Sequence, residues 1–127
     1  MPQLVISIGS NTCERLSNVE KAQKKVLQLL LPGAKVSEIY ETPCALNSES
    51  VYFNAVIIGE YEGEISTLEC ILKKMEEQFG RDAICRRQGL VPIDIDIVVC
   101  DGKVLKEWDF RQIFFRKGYD SLLAQNS

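Results

Sequence analysis

The spacing of apolar residues in this chain changes period as one reads along it. Leu4-Val5-Ile6-Ser7-Ile8 is a short apolar run closed by Gly9-Ser10-Asn11, which predicts a first strand. Val19, Ala22, Val26, Leu29 and Leu30 then recur at helical spacing. Ser17 and Glu20 open that stripe as S-x-x-E, so the pattern predicts a capping box in which both side chains satisfy free backbone donors. Pro32-Gly33 ends the helix. Ala34 to Glu41 predicts a second strand, and Thr42 to Ser50 a loop with Pro43 and a polar Asn47-Ser48-Glu49-Ser50 tip.

Val51 to Glu60, rich in β-branched and aromatic residues, predicts a third strand. Ile65, Leu68, Ile71, Leu72, Met75 and Phe79 form a second helical stripe, with Gly80 where a C-terminal cap belongs. Arg81 to Leu90 predicts a loop carrying Arg81, Arg86 and Arg87. Val91 to Val99 predicts a fourth strand, and Asp101-Gly102 a hairpin turn into Val104-Leu105. From Phe114 onward, Phe115, Tyr119, Leu122 and Leu123 make a helix-like pattern. The order β-α-β-β-α-β predicts an α+β, ferredoxin-like sandwich: an antiparallel sheet with helices on one face, plus a C-terminal hairpin and helix. Each helix has one apolar stripe to bury, so the second sheet face is left for ligand.

Within the fourth strand, Ile93-Asp94-Ile95-Asp96-Ile97-Val98-Val99 carries two aspartates in an apolar run. A strand alternates its faces, so Ile93, Ile95, Ile97 and Val99 are expected to point one way and Asp94 and Asp96 the other. The two carboxylates then stand on one face, with Cα atoms roughly 6.5–7 Å apart. Mg²⁺ takes one or two carboxylates and completes its shell with water and substrate phosphates. An ordinary solvated strand face can look the same. Aspartate is nevertheless a poor strand former, and two on one face repel without a nearby positive charge.

The chain has 127 residues, 46% of them apolar, which predicts one domain over residues 1–127. Net charge is −3 without a long basic cluster, which argues against a nucleic-acid partner. The apolar segment from Val26 to Leu31 is too short to span a membrane, so no membrane partner is expected. No basic region followed by an apolar one opens the chain, so no signal peptide is expected. The five cysteines are scattered, without C-x-x-C, which predicts reduced thiols, a cytoplasmic setting and no zinc site. Histidine is absent, which excludes imidazole acid–base work and Ser-His or Cys-His nucleophiles within the chain. Chemistry here must come from carboxylates, metal ions, arginines and positioning.

Five segments occur in a suggestive order from residue 4 to about 105. They are Ile8-Gly9-Ser10-Asn11, Tyr40-Glu41-Thr42-Pro43, Tyr52-Phe53-Asn54-Ala55-Val56, Glu76 with Gly80-Arg81, and Ile93-Asp94-Ile95-Asp96-Ile97. Together they resemble the 6-hydroxymethyl-7,8-dihydropterin pyrophosphokinase family of folate biosynthesis. The resemblance implies transfer of the β,γ-pyrophosphoryl group of ATP to the pterin hydroxymethyl group, with release of AMP. The partners are then ATP, as co-substrate, and a reduced pterin. It implies two Mg²⁺ ions on Asp94 and Asp96, with Asp94, Asp96 and Arg81 as the catalytic set. Such transfers need charge neutralisation and alignment more than a protein nucleophile.

By the same resemblance, Thr42, Pro43, Tyr52 and Asn54 bind the pterin. Phe115, chosen over Phe114, is the second stacking ring. Asn54 suits a polar ring edge because an amide donates and accepts at once, and it sits mid-strand, where asparagine is disfavoured. Glu76, Arg81, Arg87 and Ile97 are the residues implied for ATP. Arginine holds phosphate oxygens through a rigid fork of donors.

The chain departs from the family pattern. Leu90-Val91 stand where Pro-Arg is usual, and Gln88 and Ala83 replace a tryptophan and an arginine. The segment Trp108-Asp109-Phe110-Arg111-Gln112-Ile113-Phe114-Phe115 lacks the family's histidine. Two other readings stay open at this level. One is a divergent relative with weak or no activity or another substrate. The other is a non-catalytic ferredoxin-like ligand-binding module.

Overall fold

The computed structural model describes residues 1–43 and 51–125. Its elements are β1 (Gln3–Ser10), α1 (Arg15–Leu29), β2 (Lys35–Val36), β3 (Tyr40–Pro43), β4 (Val51–Glu60) and α2 (Ile65–Gln78). They continue with α3 (Ala83–Arg87), β5 (Asp94–Cys100), β6 (Lys103–Val104), α4 (Glu107–Arg111) and α5 (Ile113–Ala124). The six strands form one antiparallel sheet in the order β2-β4-β1-β5-β6, with β3 also paired to β4. This is the ferredoxin-like arrangement the pattern predicts, with β2 and β3 together in the place of the second strand.

One sheet face is the main core. Leu4, Ile6 and Ile8 of β1, Ala55 and Ile57 of β4, and Ile95 and Ile97 of β5 pack there with Ile93. Val19, Ala22 and Val26 of α1 and Leu68, Leu72 and Met75 of α2 close over them. Fully burying each large aliphatic side chain stabilises by about 1.5–3 kcal/mol before entropy is counted. The second face carries a smaller cluster in which Phe115 and Leu122 of α5 cover Val5, Val56, Ile58, Val98 and Val99. That face is therefore not wholly open, as the helix count implied. The terminal helix covers one end and leaves the Asp94 end.

Several local expectations are corrected. The S-x-x-E pair does not cap α1: the helix starts at Arg15, Glu14 is its N-cap residue and Ser17 is exposed within the helix. A tertiary tie sits in that first turn instead, where buried Asn18 donates to the Pro92 carbonyl at 2.9 Å. The expected second strand is broken at Ser37, whose hydroxyl oxygen accepts the Val56 N–H at 2.8 Å. A side chain thereby takes the place of a ladder acceptor. Val99 faces the α5 side, because β5 shifts register between the partners of Val5 and Ile6. An extra residue in one strand turns its side chains over. The predicted loop at 81–90 contains α3, capped by Asp82, which accepts the Cys85 N–H at 2.8 Å. Of the predicted loop at 42–50, Thr42 and Pro43 belong to β3, and the part from residue 44 lies outside the described residues.

The β5–β6 hairpin follows the expectation. Asp101 and Gly102 have φ of 49° and 79°, the left-handed pair that a tight hairpin turn requires. Gly80 (φ 90°) likewise follows α2 in the left-handed region.

Candidate active site

A cavity of about 420 Å³ opens on the second sheet face beside the N-terminal end of α5. Volumes of 300–1,000 Å³ are typical of small-molecule sites. Its floor is Ser7 and Gly9 of β1, which pair with Asp96 and Asp94 across β5 and with Val56 and Asn54 across β4. At Gly9 an added Cβ would come 3.1 Å from Asn54 Oδ1 and 3.5 Å from Tyr52. A bare backbone there lets both side chains lie across the strand.

Thr42, Pro43, Tyr52 and Asn54 line one wall. Asn54, 2% exposed, donates to Thr42 Oγ1 at 2.7 Å, which holds the amide in one orientation. Asp94 and Asp96 line the opposite wall, as alternation within β5 requires. Each is held by a cation. Arg81 Nη1 lies 2.8 Å from Asp94 Oδ1, and Lys106 Nζ lies 2.9 Å from Asp96 Oδ1.

Burial, and then the charge of Asp94, push Asp96 up to about 6 in spite of Lys106. Asp109, also in the cavity wall, is raised by burial and by Asp96. Arg81 is lowered by burial, but Asp94, Glu76 and Asp96 more than offset that, and its pKa rises. Lys106 is raised mainly by its bond to Asp96. The site thus carries more negative charge than its own cations neutralise, an environment that suits a divalent cation. Among the described residues no cluster of three or more Asp, Glu, Cys or His stands within metal-binding range. The chain's own contribution to such an ion is therefore the two strand carboxylates.

Glu76 is not aimed at the cavity. It accepts the Ile95 N–H at 2.8 Å and pairs with Arg81 at 3.1 Å, so it satisfies the unpaired edge of β5 and steers the guanidinium. Asn11 clasps the segment before β5: its side chain accepts the Val91 N–H at 2.6 Å and donates to the Gly89 carbonyl at 3.0 Å. The Gly9-Ser10-Asn11 turn is therefore a brace for the aspartate strand.

The structure places the side chains of three candidates away from the cavity. Phe115 is fully buried between α5 and the sheet, and the adjacent Phe114 is the ring that reaches the cavity. The side chain of Ile97 lies in the main core, on the face away from the cavity. Arg87 is exposed on α3, contacts the Ala83 carbonyl and is absent from the cavity wall. Lys106, Trp108 and Asp109 also line the wall and were not singled out from the sequence, whereas Phe114 was weighed there and passed over for Phe115. The hairpin itself is legible in Asp101-Gly102, but which side chains beyond it turn into the cavity depends on how α4 and α5 dock.

The profile of the 7,8-dihydro-6-hydroxymethylpterin-pyrophosphokinase family matches residues 5–116. The chain belongs to this family. It is 31% identical over 97 residues to a folate synthesis bifunctional protein of Arabidopsis thaliana, covering 76% of the chain and 20% of that protein. A folate synthesis bifunctional protein of Chlamydia trachomatis is 32% identical over 99 residues, 73% of the chain and 22% of that protein. A mitochondrial one of Pisum sativum is 31% identical over 98 residues, covering 76% and 19%. The chain spans about a fifth of the length of these relatives. The membership supports an enzyme of pyrophosphokinase type. Among the described residues, no helix is long and apolar enough to cross a membrane.

Proposed function

We propose that the cavity transfers the β,γ-pyrophosphoryl group of ATP to the hydroxymethyl group of 6-hydroxymethyl-7,8-dihydropterin. The observation that carries this is one cavity with an ordered amide–hydroxyl pair on one wall and two strand carboxylates on the other. Asn54 and Thr42 read the polar edge of the pterin, and Tyr52 and Phe114 supply ring surface. Asp94 and Asp96 hold magnesium, which when bound neutralises phosphate charge and fixes the phosphate chain. Two carboxylates within metal-binding range leave coordination positions for water and phosphate oxygens. Arg81, fixed by Glu76, presents its guanidinium toward the phosphates. The pterin hydroxyl oxygen bonds to the β-phosphorus and gives up its proton to solvent, the bond from that phosphorus to the oxygen shared with the α-phosphate breaks, and AMP departs with that oxygen.

The test is purified protein with ATP, Mg²⁺ and the reduced pterin, followed by AMP. Pterin-dependent AMP that is abolished in Asp94→Ala supports the reading. ATP and pterin binding without AMP would reject it in favour of a second reading, a slow or repurposed relative. One observation favours that alternative: Val91 lines the cavity where the family usually has an arginine.

A further inference from the structure

One cation in the cavity has no part in the chemistry just described. Lys106 lies two residues past β6 as the N-cap residue of α4, and its backbone is anchored. The Leu105 N–H donates to the Val98 carbonyl at 2.8 Å, and the Lys106 carbonyl accepts the Phe110 N–H at 2.9 Å. From this fixed point the side chain reaches back across the hairpin to Asp96, with Nζ 2.9 Å from Oδ1. The side chain remains 47% exposed. An ion pair whose ammonium is half open to water adds little to stability, so folding is a poor reason for it.

Charge explains it better. Asp94, Asp96 and Asp109 line the cavity against two cations, Arg81 and Lys106. A polyphosphate brings further negative charge, and Val91 offers it none of the compensation an arginine would. The Asp96 oxygen that accepts from Lys106 cannot also be given over to a divalent cation without loosening the ammonium. A lysine stem is flexible and its ammonium carries three donors, so the loosened group stays in the cavity with its bonds unfilled.

We propose that Lys106 is a catalytic residue of this chain, holding Asp96 in the ligand-free protein and binding the phosphate chain of ATP once Asp96 holds a divalent cation. This rests on the nucleotide reading of the cavity. Lys106 is then an exchangeable partner, a place-holder for the metal and a ligand for the phosphates.

Lys106→Ala and Lys106→Arg in the full chain test it, with circular dichroism confirming the fold. Calorimetry measures Mg²⁺ alone and then inorganic tripolyphosphate with Mg²⁺. Lys106→Ala is expected to bind Mg²⁺ alone more tightly, because its competitor is gone. It is expected to bind magnesium tripolyphosphate about tenfold or more weakly. Lys106→Arg should recover most of the tripolyphosphate affinity. Unchanged tripolyphosphate affinity in Lys106→Ala overturns the proposal. So does a parallel fall in Mg²⁺ and tripolyphosphate affinity, which marks a damaged site, or failure of the unmodified protein to bind tripolyphosphate. AMP assays separate this from the pterin reading: an unmodified protein that binds tripolyphosphate through Lys106 but makes no AMP rejects the pterin reaction and keeps the role of Lys106.

Discussion

Asp94 and Asp96 share a strand face but not an environment. Asp94 is 40% exposed beside Arg81, whereas Asp96 is 19% exposed beside Lys106 and is pushed up to about 6. A carboxyl whose folded pKa is raised favours folding fully below its unfolded value of 3.8, and that contribution is lost as pH climbs through about 6. Asp96→Asn removes the ionisation penalty. It should therefore stabilise the metal-free protein at pH 7.5 by up to about 3 kcal/mol, and much less at pH 4. Urea titrations at the two pH values decide; an equal effect at both refutes the assignment.

The same substitution should abolish chemistry. Asp94→Asn and Asp96→Asn are each expected to slow AMP formation by about 10²-fold or more, since metal-assisted charge neutralisation contributes several kcal/mol. Mg²⁺ and ATP together should raise the melting temperature of the unmodified protein by mass action and leave the Asp96→Asn protein nearly unmoved. No shift in the unmodified protein would count against a metal site.

Phe114 and Phe115 should separate binding from folding. Phe115→Ala removes a ring with no exposure and is expected to cost about 3–5 kcal/mol. Phe114→Ala, which loses only a partly buried ring, should cost clearly less stability and raise the KM for the pterin. Matching stability losses would show that Phe114 is a core residue too.

Asn11→Ala breaks both side-chain bonds to Gly89 and Val91. A cost of about 1–3 kcal/mol is expected, because the Val91 N–H is half-buried and loses its acceptor. Hydrogen exchange at Val91 should accelerate while exchange in β4 keeps step with global stability.

Gly118 lets α5 sit close on the sheet, where an added Cβ would come 2.7 Å from Val56 and 2.8 Å from Tyr40. Tyr40 donates its hydroxyl to the Phe114 carbonyl, so the same contact sets the position of Phe114. Gly118→Ala is expected to cost about 1–3 kcal/mol. It should also change the fluorescence of the single tryptophan, Trp108, whose ring lies 6.0 Å from that of Phe114. Unchanged emission would mean α5 absorbs the methyl without moving Phe114.

Elements whose signal lies within a few residues were legible from the chain alone. Val51–Glu60 reads as a strand from its β-branched and aromatic residues, and Ile65–Gln78 as a helix from its stripe. Asp94 and Asp96 share a face because alternation is a property of the backbone. Thr42, Tyr52 and Asn54 meet because β3 and β4 pair in register, which agrees with the family order.

What the chain alone could not decide depends on contacts between distant residues. The ring that enters the cavity is Phe114 and not Phe115, because one helical step rotates a side chain by about 100° and only the docking of α5 sets the zero. Val99 changes faces at a bulge that no apolar pattern announces. Lys106 reaches Asp96 across a hairpin, and Asn11 holds Val91 from 80 residues away. Periodicity reports which face a residue occupies, since that follows from local geometry. Which charge or ring it meets there is set by long-range packing, and only the assembled fold supplies that.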